Sequence, residues 1–277
     1  MIVIITAMNK KLFQEEIWTY YKNHGRILPW RSTHDSYKIF VSEIMLQQTQ
    51  VSRVLKKYPE FIKAFPTFKT LADAKLSDVF FVWRGMGYNR RAKFMKQTAE
   101  IIIRNFNGTI PNDLNILTKF PGIGLGTAGS LIAFIYNEPV CFVETNIRRV
   151  IIHFFFKKKY DVQERDIIKK VQETIDTSNP REWYYALMDY GSMLPKQERI
   201  NVNIKSKIYK KQTPFAGSGR QLRGLIIQFL LDNTKGSGSD IARVCRYTKK
   251  DINKILAVLI KEKLIKKNGA VYSIFEE

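Results

Sequence analysis

The sequence has few cysteines and no long apolar run. Its 277 residues include two cysteines, Cys141 and Cys245, which lie far apart and cannot complete a four-cysteine zinc or iron–sulfur site. The apolar run 1–5 is much shorter than the ~20 residues of a membrane span, and it lacks the basic start and cleavage site of a signal peptide. We therefore expect a cytoplasmic protein with reduced thiols and no membrane partner, with Met8 as an alternative start.

Acidic residues are scarce as well. The chain has 25 Asp and Glu against 46 Lys and Arg, a formal net charge of +21 and an isoelectric point near 9.9. Such an excess indicates a polyanionic partner, either nucleic acid or an anionic membrane surface, and disfavours an enzyme for neutral small molecules. The 45% of hydrophobic residues exclude wholesale disorder, and the length favours two domains.

Apolar residues recur at three- and four-residue spacing throughout 11–209, as in the segment 128–135. This periodicity predicts an all-α region of short helices. Asn9 is a suitable cap for the first helix. The prolines of this region, among them Pro59 and Pro180, are expected where helices start or stop.

The pattern changes after Tyr209. Residues 210–219 are expected to form a linker, and Ser239 is expected to cap the second helix that follows it. The predicted elements are helices at 220–232, 239–246 and 249–263, a strand at 264–267, a type I′ turn at Asn268-Gly269 and a strand at 270–274. Three helices followed by a hairpin are the winged-helix plan. Residues 201–277 hold 16 Lys and Arg against 6 Asp and Glu, so this part is the more densely basic one.

The segment 117–132, LTKFPGIGLGTAGSLI, places a Pro-Gly-Ile-Gly turn between two helical stretches. This is a helix-hairpin-helix motif. Its glycines let the backbone approach a phosphate closely, and the N–H groups at the start of the second helix point at that anion. The phosphate-binding candidates are Gly122, Ile123, Gly124 and Gly126. Taken alone, the turn is also compatible with an ordinary connection between helices.

Several further segments follow in a characteristic order. They are LPWR at 28–31, VSEIMLQQTQV at 41–51, GMGYNRRA at 85–92, the hairpin, and VETNIRRV at 143–150. Together they resemble the helix-hairpin-helix DNA glycosylases, most closely the adenine glycosylases of the MutY family. The resemblance covers about residues 20–210, and LQQT is its most specific element.

The resemblance implies a fold of two helical lobes. A six-helix barrel is expected at 30–135, with its hairpin at 114–134, and a second lobe at 1–29 and 136–210. Residues 211–277 would add a winged-helix-like α+β module for DNA binding to this all-α enzyme.

The resemblance also implies the chemistry. The family flips the target nucleotide out of the duplex, and an acid protonates the base at N7 before it leaves. Glu43 matches that acid, which also activates the water, and its apolar surroundings suit a carboxyl with a raised pKa. Without the flanking motif, a solvent-facing helix glutamate would be the default interpretation.

A second carboxylate is expected to stabilise the cationic sugar. Glu144 stands where the family has an Asp at the start of a helix. Glutamate is one methylene longer, so its carboxylate must fold back to reach C1′. It is also a poorer N-cap than aspartate. The alternative is an acid that only complements the helix dipole.

Other site residues are carried over by position. The base pocket would include Arg26, Arg31, Leu46, Gly126 and Asn146. Gln48 and Tyr88 would form the wedge that enters the duplex, and Arg148 and Arg149 would contact phosphates. The module would contact DNA through Lys249, Lys250, Lys254, Lys266 and Lys267. Solvated charge is the alternative for each arginine, and helix packing for Tyr88. The module is also compatible with protein binding or a solubilising role.

The sequence departs from the family in two further respects. It lacks the four cysteines of a [4Fe–4S] cluster in 190–209 and the Nudix-like domain that recognises 8-oxoguanine. Gly126 replaces the lysine of the lyase members, so base removal without strand cleavage is expected. We expect no cofactor, apart from a monovalent cation that the hairpin is able to hold.

These features predict a monofunctional DNA glycosylase of base excision repair. It would act as a monomer on double-stranded DNA carrying a mispaired or damaged base, removing adenine opposite 8-oxoguanine or guanine, and would associate with the nucleoid in a prokaryote. The alternatives are a thymine or uracil mismatch glycosylase and, from another class, a non-catalytic protein that binds lesions or DNA structures.

Overall fold

The computed structural model describes residues 9–198, 201–211 and 213–276, so the alternative start at Met8 lies outside the described residues. The chain forms two compact units. The first comprises the residues through Asp35 together with Asn112–Lys119 and Ile123–Lys211; the second comprises Ser36–Pro111, Phe120–Gly122 and the residues after Lys211. None of the described helices is long and apolar enough to cross a membrane.

The regular elements in the described part of the first unit are helices, and an isolated β-bridge joins Val162 to Ser206. Its elements are α1 (Lys10–His24), α7 (Leu114–Leu117), α8 (Leu125–Tyr136), α9 (Thr145–Phe155), α10 (Glu164–Thr174), α11 (Pro180–Glu198) and a 3-10 helix at Val202–Lys205. The predicted cap at Asn9 is confirmed, since its side chain accepts from the Leu12 N–H at 2.9 Å. Helix α1 packs on α11 through Phe13 and Trp183, both fully buried, with ring centroids 5.7 Å apart.

The second unit begins with five helices. They are α2 (Ser36–Leu46), α3 (Val51–Ala64), α4 (Phe68–Asp73), α5 (Leu76–Trp83) and α6 (Arg90–Phe106). Pro59 lies inside α3 rather than at a helix end, so that prediction is wrong at this position. Proline lacks the N–H for one helical hydrogen bond, but Val54, Tyr58 and Phe61 bury their side chains on either side of the proline. Packing therefore outweighs the local cost. Pro180, by contrast, starts α11 as predicted.

The same unit ends in the predicted winged-helix plan. It consists of α12 (Gly219–Asn233), α13 (Gly238–Cys245), α14 (Lys249–Lys261) and the strands β1 (Lys235–Ser237), β2 (Ile265–Asn268) and β3 (Val271–Ile274). The strands form an antiparallel sheet in the order β1-β3-β2. Strand β1 was not expected from the sequence.

Two local predictions in the module are wrong. Ser237, not Ser239, caps α13, because Asp240 lies three residues after Ser237 and completes a reciprocal capping box with it. The hairpin pairs Asn268 with Val271, so its turn residues are Gly269 and Ala270. Gly269 alone of these two has a positive φ, +59°, whereas a type I′ turn requires two such residues.

Candidate active site

Glu43 lies in the second unit, near the carboxyl end of α2. The helix is apolar, and Ser42, Ile44 and Met45 around Glu43 are buried while Glu43 itself is half-buried. Leu46, also half-buried, is the last residue of the helix. A carboxyl placed in this way is partly shielded from water and still open on one side, as proton transfer to a bound base requires.

The two predicted wedge residues share an uncommon backbone conformation. Gln48, after α2, has φ +53°, and Tyr88, before α6, has φ +48°, both in the left-handed region that side chains other than glycine seldom adopt. Both side chains are exposed. Such strained residues cluster at functional sites, where the surrounding structure holds them in place.

Arg91 holds both of these loops. Its buried guanidinium donates to the carbonyl oxygens of Ile44 and Met45 at 2.9 Å and of Gln47 at 2.6 Å, and to the Thr49 hydroxyl at 2.9 Å. It also donates to the carbonyl oxygen of Met86 at 3.3 Å. Burial lowers the pKa of Arg91 to about 10. Arg91 is not among the site residues that the sequence predicts.

The helix-hairpin-helix turn joins α7 to α8. Gly122 has φ +75°, and a Cβ there would lie 2.9 Å from the ring of Phe94, so glycine is required at this position. The Gln47 side chain donates to the Gly122 carbonyl oxygen at 3.1 Å, which ties the LQQT segment to the turn.

The start of α8 suits an anion. Gly124 is its N-cap and has no side chain to accept from the first N–H groups, while Ile123 before it is buried. At Gly126, in the first turn, the nearest atom to an added Cβ would be the Val143 carbonyl oxygen at 3.5 Å. A side chain would fit there, so the glycine leaves space next to the hairpin.

Glu144 belongs to the first unit and is the N-cap of α9. Its Oε1 accepts from the N–H groups of Asn146 at 2.7 Å and Ile147 at 2.9 Å. Its Oε2 accepts from the Asn146 side-chain amide at 3.3 Å. Burial raises the pKa of Glu144, and the two backbone N–H groups and the nearby Arg149 oppose that rise. Although its side chain is longer than that of aspartate, Glu144 folds back to cap the helix, and the two backbone N–H groups fix its Oε1.

Internal partners hold Asn146, Arg148 and Arg149, which follow Glu144 on α9. The Arg149 guanidinium donates to Asn146 Oδ1 at 2.8 Å and to the Gly191 carbonyl oxygen at 2.6 Å. A Cβ at Gly191 would lie 2.3 Å from the Asn146 carbonyl oxygen, so α9 and α11 approach each other here through the glycine. Arg148 pairs with Glu164 at 2.6 Å. Both arginines predicted to bind phosphate are thus engaged within the unit.

Arg26 and Arg31 converge on the carboxylate of Asp189, which is not among the predicted site residues. Asp189 on α11 is buried, and Arg31 meets both of its oxygens at 2.8 Å. Arg26 donates to Asp189 through its backbone N–H at 2.8 Å and its side-chain Nε at 2.6 Å. Burial would raise the pKa of Asp189, but hydrogen bonding and charge from Arg31 and Arg26 outweigh it and hold that pKa below its ordinary value.

The lysines of the winged-helix module lie at its surface. Lys249, Lys250 and Lys254 are exposed in the first turns of α14, and Lys250 and Lys254 share one face of the helix. On β2, Lys267 is exposed over the Tyr272 ring, 5.7 Å from its centroid, and Lys266 is half-buried. A basic helix face and a basic wing are what a DNA-binding winged helix presents.

The described residues contain no group of three or more His, Cys, Asp or Glu side chains that could hold a metal ion. In the same part of the chain, Cys141 is half-buried and Cys245 is buried, and both are free thiols.

Comparisons with known proteins bear on this arrangement. The family model described as "HhH-GPD superfamily base excision DNA repair protein" matches residues 41–175. An adenine DNA glycosylase of Buchnera aphidicola subsp. Baizongia pistaciae is 36% identical over 202 residues, which are 71% of this chain and 57% of that protein. The adenine DNA glycosylase of Mycolicibacterium smegmatis is 31% identical over 237 residues, which are 79% of this chain and 80% of that protein.

A solved structure titled as a thermostable thymine-DNA glycosylase superimposes with a TM-score of 0.60 at 23% identity, over 66% of this chain and 86% of that one. This likeness establishes the helix-hairpin-helix glycosylase fold. The chain spans little more than half, 57%, of the length of the Buchnera relative. The Mycolicibacterium relative, in contrast, aligns over four-fifths of both proteins. The chain therefore belongs to the HhH-GPD superfamily of base excision DNA repair proteins and, within it, to the family of the adenine DNA glycosylases.

Proposed function

We propose that this protein is a monofunctional DNA glycosylase that flips adenine out of duplex DNA and hydrolyses its glycosidic bond where the opposite base is 8-oxoguanine or guanine. The observation that carries the proposal is the 31% identity with an adenine DNA glycosylase over 79% of the chain. The LQQT segment with Glu43 lies within the part that matches the family model.

Glu43 is the proton donor and the general base of this proposal. Its carboxyl protonates N7 of the flipped adenine, so the bond from C1′ to N9 breaks and adenine leaves as a neutral molecule. The resulting carboxylate then takes a proton from the water that adds to C1′. The half-buried position of Glu43 among apolar neighbours shields its carboxyl from water on one side only, which leaves the other side for the base.

Glu144 supplies negative charge to the sugar. The bond from C1′ to N9 breaks through an oxocarbenium-like state, which a nearby carboxylate stabilises. Hydrogen bonds from α9 hold Oε1, and among the described residues Oε2 accepts only the long bond from the Asn146 side-chain amide. The carboxylate therefore keeps acceptor capacity on Oε2 for a positive partner.

The reaction consumes water and needs no redox cofactor. We propose that the protein acts as a monomer. We also propose that it acts without an iron–sulfur cluster, because two cysteines in 277 residues cannot supply the four ligands of a cluster. Gly126 in place of a lysine removes the amine that would form a Schiff base, so the strand stays intact after base release.

Single-turnover base release tests the proposal. Duplexes carrying A opposite 8-oxoguanine, A opposite guanine, T opposite guanine and U opposite guanine are incubated with excess protein and analysed with and without alkali. We expect adenine release that needs alkali for strand cleavage and that falls at least about 10²-fold in Glu43→Gln, while salt-sensitive DNA binding persists. Glu60→Gln, an exposed glutamate on α3, should behave as the wild type.

Two results would contradict the proposal. Release from the T or U duplexes alone would make the protein a mismatch glycosylase. Binding without release from any duplex would make it a non-catalytic DNA-binding protein.

A further inference from the structure

An open groove of about 790 Å³ lies within the second unit, between its first helices and the winged-helix module. One wall contains Gln48, Arg53 and Tyr88, and the other contains Phe215 and Arg220. Glu43 does not line this groove. Its volume is in the range of cavities that bind a nucleotide-sized ligand, and its site is separate from the carboxyl proposed to act on the flipped base.

The module that forms the second wall is firmly attached. The Glu276 carboxylate accepts from the N–H groups of Leu76 at 3.1 Å and Ser77 at 2.9 Å, at the N-terminus of α5. Lys93 on α6 donates to the Glu262 carbonyl oxygen at 2.7 Å. These contacts, together with the packing of α12 on α5, join the two walls of the groove.

A further ion pair across this interface joins Arg84 to Asp232 at 2.6 Å. It neutralises one of the four arginines that line the groove, and Arg223 is neutralised by Glu262. Within the described part of the chain, Arg53 and Arg220 have no acidic partner. The groove therefore carries two uncompensated positive charges.

Arg220 joins the two walls directly. One guanidinium nitrogen donates to the Tyr88 hydroxyl at 2.9 Å, and the other donates to the Thr213 carbonyl oxygen at 2.6 Å. Both acceptors are neutral, so the charge of Arg220 stays available to an anion. Phe215, beside it, is 60% exposed, and Tyr88 is 38% exposed. Aromatic faces next to unpaired arginines are the combination that binds unpaired nucleotides, by stacking and by phosphate contact.

We propose that this groove binds the nucleotide left without a partner when the target base is flipped out, with Phe215 stacking on its base and Arg220 and Arg53 contacting the phosphates of its strand. The inference rests on the proposed function, because a base must be flipped out before Gln48 and Tyr88, which match the wedge residues of the family, can fill the gap in the duplex. A wedge touches the base that stays behind, and the groove begins at these two side chains. The winged-helix module then takes part in sensing the opposite base.

The test uses a probe that needs no catalysis. A duplex carries a tetrahydrofuran abasic analogue opposite 2-aminopurine, and its fluorescence is titrated with wild-type protein and with variants at several salt concentrations. We expect binding to change the 2-aminopurine fluorescence. In Phe215→Ala at least half of that change should be lost. In Arg220→Ala the Kd should rise about 10-fold, and the slope of log Kd against log salt should fall by about one.

Two matched variants sharpen the test. Arg243→Ala removes an arginine on α13 whose side chain is 79% exposed and which does not line the groove, so it should leave both readouts unchanged. Tyr88→Phe removes the hydroxyl that Arg220 binds and keeps the ring, so it should keep the salt slope of the wild type. Thermal melts of all variants verify that they are folded; Phe215 and Arg243 are exposed, so we expect melts like that of the wild type.

Two outcomes would overturn the inference. One is that Phe215→Ala and Arg220→Ala behave like Arg243→Ala. The other is that Tyr88→Phe reproduces the salt effect of Arg220→Ala, since Arg220 would then act only through Tyr88. If the wild type released no adenine but the groove variants changed the 2-aminopurine fluorescence as expected, the proposed chemistry would be rejected. The nucleotide-binding role of the groove would stand. Adenine release with fluorescence insensitive to both groove variants would reject the groove alone.

Discussion

The guanidinium of Arg91 donates a 2.6 Å hydrogen bond to the carbonyl oxygen of Gln47, the residue before Gln48. A second nitrogen of the same guanidinium reaches the carbonyl oxygens of Met86 at 3.3 Å and Gly87 at 3.4 Å, just before Tyr88. One buried side chain thus links the two loops whose left-handed residues are proposed to enter the duplex. The planar fork of arginine makes this double contact possible, and the shorter, single-headed lysine cannot reproduce it.

Arg91→Lys should therefore lower both stability and base release. The variant keeps a positive charge but leaves several buried carbonyl oxygens without a donor, at a cost of about 2 to 4 kcal/mol in the free energy of unfolding. Chemical denaturation and single-turnover base release measure the two effects. Arg90→Lys, the exposed neighbour, is the control and should change neither. Equal stability and rate in Arg91→Lys and wild type would show that the loops hold their conformation without the fork.

Asp189→Asn should destabilise the first unit strongly. It removes the counter-charge of Arg31, whose side chain is 8% exposed, and an unpaired buried charge costs about 3 to 5 kcal/mol. Because the Asp189 pKa is lowered from 3.8, its stabilisation is present above pH 3.8 and is lost as the pH falls through the folded value. The difference between wild type and variant should accordingly shrink in acid, as measured by denaturation at pH 3 to 7.

Asp73→Asn is the matched control, since Asp73 forms an exposed pair with Lys69 and its loss should leave the unfolding free energy within measurement error. A pH-independent cost of Asp189→Asn would contradict the role of its ionised form.

Local sequence signals predicted the helical class of residues 11–209 and most elements of the winged-helix module. Asn9 and the Pro-Gly-Ile-Gly turn act through neighbouring residues, and the structure has the cap and the hairpin where they were expected. One error came where two local signals competed. Ser237 and Ser239 are both good caps, and only the partner three residues later, Asp240, decides between them. The position of the wing turn follows from strand register, which a short pattern specifies weakly.

The site was less accessible to such reasoning. Arg26 and Arg31 were assigned to a base pocket by position, but their carboxylate, Asp189, lies 163 and 158 residues away along the chain. No spacing rule connects residues so far apart. The same holds for Arg220, whose partner Tyr88 is 132 residues away. Contacts made only on folding have no local pattern.

Glu144→Gln should separate stability from activity. The amide oxygen still accepts from the N–H groups of Asn146 and Ile147, so the cap of α9 survives without its charge. Because the Glu144 pKa is raised above 4.5 in the folded protein, the stability that this shift contributes is present below pH 4.5 and is lost as the pH rises through the folded value. At pH 7 the variant should melt at a higher temperature than the wild type, while base release slows about 100-fold or more.

Melting curves between pH 4.5 and 7.5 and single-turnover rates on the same preparations provide the measurement. A lower melting temperature at pH 7 would mean that the charge of Glu144 stabilises the helix more than burial disfavours it. An unchanged rate would leave Glu144 as a helix cap alone.

Glu276→Gln should loosen the attachment of the winged-helix module. Lys75, the N-cap of α5, makes no side-chain capping hydrogen bond, and the Glu276 carboxylate supplies both acceptors and the negative charge that a helix N-terminus favours. The neutral amide keeps one oxygen acceptor, so amide hydrogen exchange at Leu76 and Ser77 should accelerate about 10-fold, in keeping with a loss of about 1 kcal/mol. Glu138→Gln, an exposed glutamate of the first unit, should leave both amides protected.

If the module takes part in holding the unpaired nucleotide, Glu276→Gln should also weaken binding to the abasic duplex with 2-aminopurine, because one wall of the groove then moves relative to the other. If amide exchange at Leu76 and Ser77 stayed normal while duplex binding weakened, the Glu276 carboxylate would not attach the module to α5. Its effect on binding would then come from the DNA side.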